Sequence, residues 1–171
     1  PLHGPVLSED LAYYIGKYQI WSSYEPEDKG VLIAYASIHG NTGKAAEKLA
    51  ELLRAKGVEK VVVSDLARDD MAEVIEDAFR YDRMVLAAAT YDAGVFPCMD
   101  SFLARLKSKN YQKRRVGIVE NGSWAPMAGK VMKESLSQMK EVTIVEPVVT
   151  IKSTMNGASE EQLALLAEAL V

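Results

Sequence analysis

The sequence has very few of the residues that build disulfide frameworks and metal centres. It contains one cysteine, Cys98, and two histidines, His3 and His39, among 171 residues. A single cysteine excludes a disulfide within the chain and is typical of the reducing cytoplasm. Two histidines outside any His-x-Glu or His-x-Asp pattern are too few for a multinuclear metal centre. We therefore expect a cytoplasmic chain that assembles no metal centre by itself.

The chain also lacks an excess of basic residues and long apolar runs. Lysine and arginine number 20 against 24 acidic residues, for a net charge of −4, which argues against nucleic acid as a partner. No apolar run approaches the roughly 20 residues of a membrane helix, and no signal peptide is visible, so no membrane partner is expected. The chain starts at Pro1 without methionine, which we interpret as a cut inside a longer protein.

Strand patterns and helix patterns alternate along the chain. Apolar, β-forming runs predict strands at residues 31–36, 60–65, 84–89, 116–119 and 142–151. Each run is followed by a stretch with apolar residues at helical spacing, and the helix after the first strand closes at Gly57. This alternation predicts an α/β fold: a doubly wound, five-stranded parallel sheet with helices on both faces.

An additional helix is predicted before the first strand. Residues 8–22 have one apolar face, with Ser8 as the expected start and Pro26 beyond the end. The polar segment 25–29 is the one plausible joint between this leading helix and the core. Near the other end of the chain, Pro126 suits the first turn of the helix that follows the fourth strand.

The loop after the first strand has the composition of a phosphate site. It contains three hydroxyl or amide side chains, Ser37, Asn41 and Thr42, together with Ile38, His39 and Gly40. An amphipathic helix follows, and the N–H groups at a helix start favour an anion. On this loop alone, an ordinary Ser/Thr/Asn-rich helix cap explains the pattern equally well.

Two further loops are expected at the same edge of the sheet, because ligands bind at the carboxyl ends of parallel strands. The loop after the third strand contains Thr90, Tyr91, Asp92, Ala93 and Gly94. The loop after the fourth contains Asn121, Gly122, Ser123 and Trp124. A phosphate loop flanked by two aromatic rings suits a flat, conjugated ligand that carries a phosphate. Alternatively, the two rings only cover the sheet edge, but the convergence of three loops favours the ligand.

In this order the three loops resemble those of the flavodoxins, and more closely those of the flavodoxin-like C-terminal domain of flavodiiron proteins, the A-type flavoproteins. The family's Ser-x-x-Gly-Asn-Thr loop matches residues 37–42, and its Thr-Tyr…Phe-Pro loop matches 90–97. The most specific motif, Glu-Asn-Gly-Ser-Trp-Ala-Pro-x-Ala-Gly-Lys, matches 120–130. The resemblance implies FMN as cofactor, bound by the residues of the three loops named above.

The resemblance also implies a division of the chain and a role. Residues 1–28 resemble the tail of a preceding metallo-β-lactamase-like domain plus a linking helix, with His3 as a remnant iron ligand, and residues 29–171 form the flavodoxin-like domain. The implied role is electron transfer within an oxidoreductase that reduces dioxygen or nitric oxide at a diiron centre outside this chain. Rubredoxin or another small redox donor, the diiron domain and a second subunit are the implied partners. No catalytic residue is assigned.

Two features leave alternatives open. His39 stands where the family usually carries an aromatic residue, so it either tunes phosphate binding with pH or only packs as an aromatic would. A basic cluster is either a solvated surface or steers an acidic redox partner; it comprises Lys107, Lys109, Lys113, Arg114 and Arg115.

Two other functions share this winding. A stand-alone flavin enzyme such as a quinone reductase would need a nicotinamide site and usually a longer insertion near the third loop. A receiver-type signalling module would need acidic residues after the first strand and an aspartate at the end of the third. Ser37 and Thr90 occupy those places here.

Overall fold

A computed structural model describes residues 3–171. All five predicted strands are present, most of them longer than the apolar runs that predicted them. A two-residue strand, β4, was not predicted and pairs antiparallel with the end of β3. The strands are β1 (Asp28–Ala36), β2 (Val61–Asp65), β3 (Tyr81–Tyr91), β4 (Gly94–Val95), β5 (Arg114–Asn121) and β6 (Val142–Ile151).

Helices follow the strands as predicted, with two corrections at their starts. The helices are α1 (Leu11–Ser22), α2 (Asn41–Ala55), α3 (Met71–Arg80), α4 (Pro97–Ser108), α5 (Ala128–Leu136) and α6 (Gly157–Leu170). The leading helix begins after Asp10, which has φ 51°, so the start predicted at Ser8 was wrong. Pro126 precedes α5 instead of lying in its first turn, because residues up to Met127 are still part of the loop.

The five long strands form one parallel sheet in the order β2-β1-β3-β5-β6. The chain moves outward from β1 to β2, then returns to the other side of β1 and continues outward through β3, β5 and β6. The winding direction therefore reverses between β1 and β3, whose carboxyl ends lead into the first two predicted site loops. This topology confirms the doubly wound fold and places the expected ligand edge.

Helices cover both faces of the sheet, as predicted. On one face, Leu32 and Leu86 pack with buried residues of α3, α4 and α5. On the other face, Val31 and Ile33 pack with α2 and α6. Alternate residues of a strand point to opposite faces, so a strand segment buried on both sides is apolar throughout, as residues 31–34 of β1 are.

The leading helix α1 lies outside these two layers. A helix was predicted correctly here, but every large apolar side chain of its predicted apolar face is exposed, so that face is not buried against the described part of the chain. Glu27 holds the helix to the sheet, since it accepts a hydrogen bond from Trp21 Nε1 at 2.6 Å and pairs with Lys17 at 2.5 Å. The predicted joint is partly fixed, because Glu27 N donates to Arg80 O at 2.9 Å and β1 already begins at Asp28.

At the amino edge of the sheet, where the parallel strands begin, arginine side chains donate hydrogen bonds to backbone carbonyls. Arg114, only 2% exposed, donates to the carbonyls of Tyr81 at 2.8 Å, Tyr24 at 2.7 Å and Phe79 at 2.5 Å. These bonds join the end of α3 and the turn after α1 to β5. Burial away from water lowers the pKa of Arg114, and the three carbonyls compensate for that burial by accepting hydrogen bonds.

Two further arginines hold the end of α6. Arg83 Nη1 donates to Leu170 O at 2.6 Å, and Arg115 donates to Ala169 O. The predicted basic cluster thus lies in part at the edge opposite the site loops, and the prediction of a solvated surface was wrong for the buried Arg114.

Candidate functional site

The loops after β1, β3 and β5 meet at the carboxyl edge of the sheet. They enclose a cleft of about 200 Å³ whose lining is largely polar. The lining residues are Ser37, Ile38, His39, Asn41, Thr42, Ala89, Thr90, Asn121, Gly122, Ser123 and Ser153. The structure therefore brings most of the first and third predicted loops together with Thr90.

The first loop turns at Gly40 and leads directly into α2. Gly40 has φ 84° immediately before α2 begins at Asn41, a backbone conformation in which glycine has no steric cost. No side chain of the described residues caps the first turn of α2. The N–H groups of that turn lack partners within the helix and, with the helix dipole, make this edge favourable for an anion.

Ser37 places a hydroxyl group beside that helix start. Its Oγ atom is buried and has no hydrogen-bond partner within residues 3–171. A buried polar atom without a partner costs about 1–3 kcal/mol, so native proteins rarely keep one without a reason. A ligand oxygen in the cleft would satisfy this hydroxyl. Thr42, 1% exposed, adds a second hydroxyl from the first turn of α2.

A second, more apolar hollow adjoins the polar cleft. It has a volume of about 330 Å³ and shares Thr90, Gly122 and Ser123 with the polar part. Its other lining residues are Ala93, Trp124, Ala125 and Met127. The indole of Trp124 stands at the rim, where it is 92% exposed. The site is thus elongated, with a polar end at α2 and an apolar end at Trp124.

The second predicted loop is divided between two surfaces. Thr90 joins the loops, because its Oγ1 accepts hydrogen bonds from Met127 N at 2.9 Å and Ala128 N at 3.2 Å at the start of α5. Beyond it, Asp92 (φ 48°) and Ala93 (φ 56°) form the tight turn between β3 and β4.

The polar cleft and the adjoining apolar hollow together form a two-part cleft. Three residues of the second loop do not line it but lie in a separate depression. Tyr91, Asp92 and Gly94 face this shallow surface together with Asp100 and neighbouring residues. Tyr91 is 51% exposed, and its ring packs edge-on against Phe96 with centroids 5.7 Å apart.

The Asn121 side chain fixes the third loop to the loop after β6. Asn121 Nδ2 donates to Ser153 O at 3.0 Å, and Asn121 Oδ1 accepts from Ser153 N at 3.1 Å. A Cβ on Gly122 would lie 2.8 Å from Pro126 Cα, so only glycine fits there. The Asn121 amide is therefore committed to the loop after β6, although its residue lines the cleft.

Sequence reasoning missed four lining residues: Ser153, Ala89, Ala125 and Met127. Ser153 follows the carboxyl end of β6, so the rule that located the other three loops would have located this one as well.

His3 is exposed and distant in sequence from these loops. Within residues 3–171, no group of three or more His, Cys, Asp or Glu side chains is arranged to hold a metal ion. In the same range, the helices are too short or too polar to cross a bilayer.

Comparisons with known proteins agree with this architecture. A family model described as a flavodoxin domain matches residues 32–154. Coenzyme F420H(2) oxidase from Methanothermobacter marburgensis is 26% identical over 113 residues, which cover 66% of this chain and 27% of the oxidase. Another curated relative is matched over 38% of its own length, so the chain spans well under half of both relatives.

Two solved structures share the fold over almost the whole chain. The rubredoxin oxygen:oxidoreductase from Desulfovibrio gigas superposes with a TM-score of 0.86 at 23% identity, covering 93% of this chain and 39% of that one. A mutant flavo di-iron protein from Thermotoga maritima superposes with a TM-score of 0.79 at 25% identity, covering 99% of this chain and 43% of that one.

Proposed function

Because the chain belongs to the flavodoxin domain family, whose model matches residues 32–154, we propose that it binds FMN in the two-part cleft and transfers electrons as the flavodoxin-like domain of a flavodiiron oxidoreductase. The observation that carries the proposal is the buried Ser37 hydroxyl, which has no partner among residues 3–171 and lies beside a start of α2 that no side chain in this range caps. A phosphate group supplies the acceptor oxygens that this hydroxyl and these N–H groups require.

The polar end of the cleft would hold the phosphate. Ser37 and Thr42 supply hydroxyl donors there, and the backbone of residues 38–42 supplies N–H groups. Gly40 leaves open space, since a Cβ built on it meets no atom within 4 Å. The donor set is neutral apart from His39, as expected where backbone dipoles and hydroxyls bind an anion.

The apolar end would hold the isoalloxazine ring. Trp124 supplies an exposed aromatic face next to Ala93, Ala125 and Met127. Tyr91 lies on the neighbouring surface with Asp92 and Gly94, and we propose that these three residues contact the ring edge from there. Stacking on an aromatic face contributes about 1 kcal/mol beyond the burial of area.

The chemistry of the proposed site is redox chemistry, which FMN supplies when it is bound. The residues of this chain bind and orient the cofactor and limit the access of water to its phosphate end. We propose no nucleophile and no acid–base pair, because the polar groups Thr90 and Asn121 are already committed to holding the loops.

We further propose that the chain is one part of a larger enzyme. Residues 1–28 would be the tail of a preceding metallo-β-lactamase-like domain with its linking helix, and residues 29–171 the FMN domain. The exposed apolar face of α1 supports this division, since such a face is expected to pack against other protein. The diiron centre that reduces dioxygen or nitric oxide would lie in that other domain, and rubredoxin or a similar donor would reduce the flavin.

A comparison of the affinities for FMN and riboflavin tests the proposal. Riboflavin lacks the phosphate, so FMN should bind about 100-fold more tightly, as expected for several charge-assisted hydrogen bonds to one phosphate. Dissociation constants are obtained from the quenching of flavin fluorescence during titration. Equal constants for FMN and riboflavin would overturn the phosphate assignment. A protein that takes up no flavin would instead favour the receiver-type alternative.

A further inference from the structure

His39 is the one ionisable side chain on the wall of the polar cleft within residues 3–171. The other lining residues there carry hydroxyl, amide or apolar side chains. His39 is exposed and lies two residues from Ser37 and three from Thr42, so it belongs to the loop that surrounds the start of α2. A protonated imidazole at this position would add a positive charge to a cleft whose other lining side chains, among the described residues, are neutral.

We propose that His39 makes the binding of the FMN phosphate depend on pH, with tighter binding when its imidazole is protonated. This inference rests on the function proposed above. Histidine in general changes its charge between pH 5 and 8, whereas hydroxyls and backbone amides do not. The cleft would therefore hold FMN more tightly in mildly acidic conditions and release it more readily in mildly alkaline ones.

The charged residues of the surrounding segments do not provide the same response. Lys44 in α2 and Lys152 beside Ser153 lie outside the lining, and Asp92 faces the shallow depression next to it. Residues 121–127 contain no ionisable side chain. Lysine and aspartate in general keep one charge state between pH 6.5 and 8.5, so their contribution is constant across this range.

The sign of the effect follows from the charges. A phosphate monoester is largely dianionic above pH 6.5, because its second proton dissociates near pH 6. Below that pH the phosphate itself becomes protonated, which weakens its interaction with the cation and opposes the effect of His39. The range from pH 6.5 to 8.5 therefore isolates the histidine, and affinity should fall as the pH rises through it.

Titrations of three proteins with FMN at pH 6.5 and pH 8.5 test the inference. The native chain should lose about fivefold in affinity across this range, the size expected for a partly exposed ion pair. His39→Gln should bind FMN weakly at both pH values, and His39→Lys tightly at both, because neither changes charge there. Riboflavin provides the matched ligand, since without a phosphate it should show no such difference between the proteins.

The outcomes separate this inference from the proposed function. If FMN binds in preference to riboflavin but the native chain and His39→Gln share one pH profile, the role of His39 is overturned and the FMN site stands. If none of the three proteins binds FMN, both are overturned. Circular dichroism of each variant shows whether the fold is intact, and the exposure of His39 makes an effect on folding small.

Discussion

Two buried polar side chains, one at each edge of the same parallel sheet, differ in whether the chain satisfies their hydrogen bonds. At the amino edge, the Arg114 guanidinium is buried and donates to several backbone carbonyls, including those of Tyr81, Tyr24 and Phe79. At the carboxyl edge, the Ser37 hydroxyl is buried and has no partner within the described residues. Arg114 is thus satisfied within the chain, whereas Ser37 is a buried hydroxyl that the described residues leave unsatisfied, although its neighbours Thr90 and Asn121 are hydrogen-bonded.

This difference separates stability from function within one sheet. Substitutions at the amino edge should reduce the free energy of unfolding and leave ligand affinity largely unchanged. Substitutions of Ser37 or Trp124 at the carboxyl edge should weaken ligand binding without reducing the free energy of unfolding. Sites that bind ligands commonly retain such unsatisfied groups at a cost to the stability of the empty protein. Each of the following predictions tests this separation.

The largest effect is expected for Arg114→Met. The methionine fills much of the volume but leaves the carbonyls that accept from Arg114 without this donor, which should lower the free energy of unfolding by about 3 kcal/mol. Urea denaturation followed by circular dichroism measures this loss. The matched control is Arg115→Met, whose exposed side chain donates to Ala169 O alone and whose loss should cost no more than about 1 kcal/mol. A small change in the free energy of unfolding of Arg114→Met would show that water replaces the guanidinium as the donor to these carbonyls. The two edges would then not differ in their contribution to stability.

Ser37→Ala should weaken FMN binding about tenfold, the loss of one charge-assisted hydrogen bond. The same change should raise the free energy of unfolding of the flavin-free protein by about 1 kcal/mol, because it removes a buried hydroxyl that has no partner in the described part of the chain. Flavin titration and urea denaturation measure the two effects.

Ser108→Ala serves as the control for Ser37→Ala. Ser108 is exposed in α4 and donates to Arg105 O, so its loss should leave FMN affinity unchanged. A Ser37→Ala protein that is less stable and binds FMN normally would place this hydroxyl in the scaffold instead of the site.

The smallest effect is expected for Trp124→Ala, which should weaken FMN by about 1 kcal/mol, or about fivefold, through lost stacking. Because Trp124 is 92% exposed, the free energy of unfolding should not change. The chain has a second tryptophan, Trp21, which bonds to Glu27 at the amino edge. Trp21→Phe should therefore keep full FMN affinity, and the fluorescence quenched by FMN should come mainly from Trp124. Unchanged affinity in both Trp124→Ala and Tyr91→Ala would make these rings part of the scaffold.

Much of the fold was predictable because its three central strands, β1, β3 and β5, are largely buried on both faces. A continuous apolar run such as residues 84–89 indicates such a strand directly, although pairing with neighbours extends it to Tyr81–Tyr91. The two-residue β4 was missed because its existence depends on the turn at Asp92 and Ala93, where non-glycine residues adopt positive φ. The predicted helix start at Ser8 failed because Asp10 takes a left-handed conformation that composition does not reveal.

The site was predictable as a set of converging loops, but the use of each side chain was not. Ser37 and Asn121 are both small polar residues at strand ends, yet Ser37 has no partner among the residues that the structure describes and Asn121 is hydrogen-bonded to Ser153. Sequence alone does not show whether a polar group finds its partner within the chain. Likewise, the apolar face of α1 was predicted from its spacing, but its exposure depends on what packs outside this chain.

The strand order also has a kinetic consequence for the cleft. Parallel neighbours cannot be joined by a tight turn, so each of the four parallel pairs closes only after a crossover of a dozen residues or more. The antiparallel β3–β4 pair is the local exception. The walls of the polar cleft come from residues as far apart as Ser37 and Ser153, so they meet only when nearly the whole sheet has formed. We therefore expect a ligand of this cleft to bind only once most of the sheet has formed, and to slow unfolding more than it speeds folding.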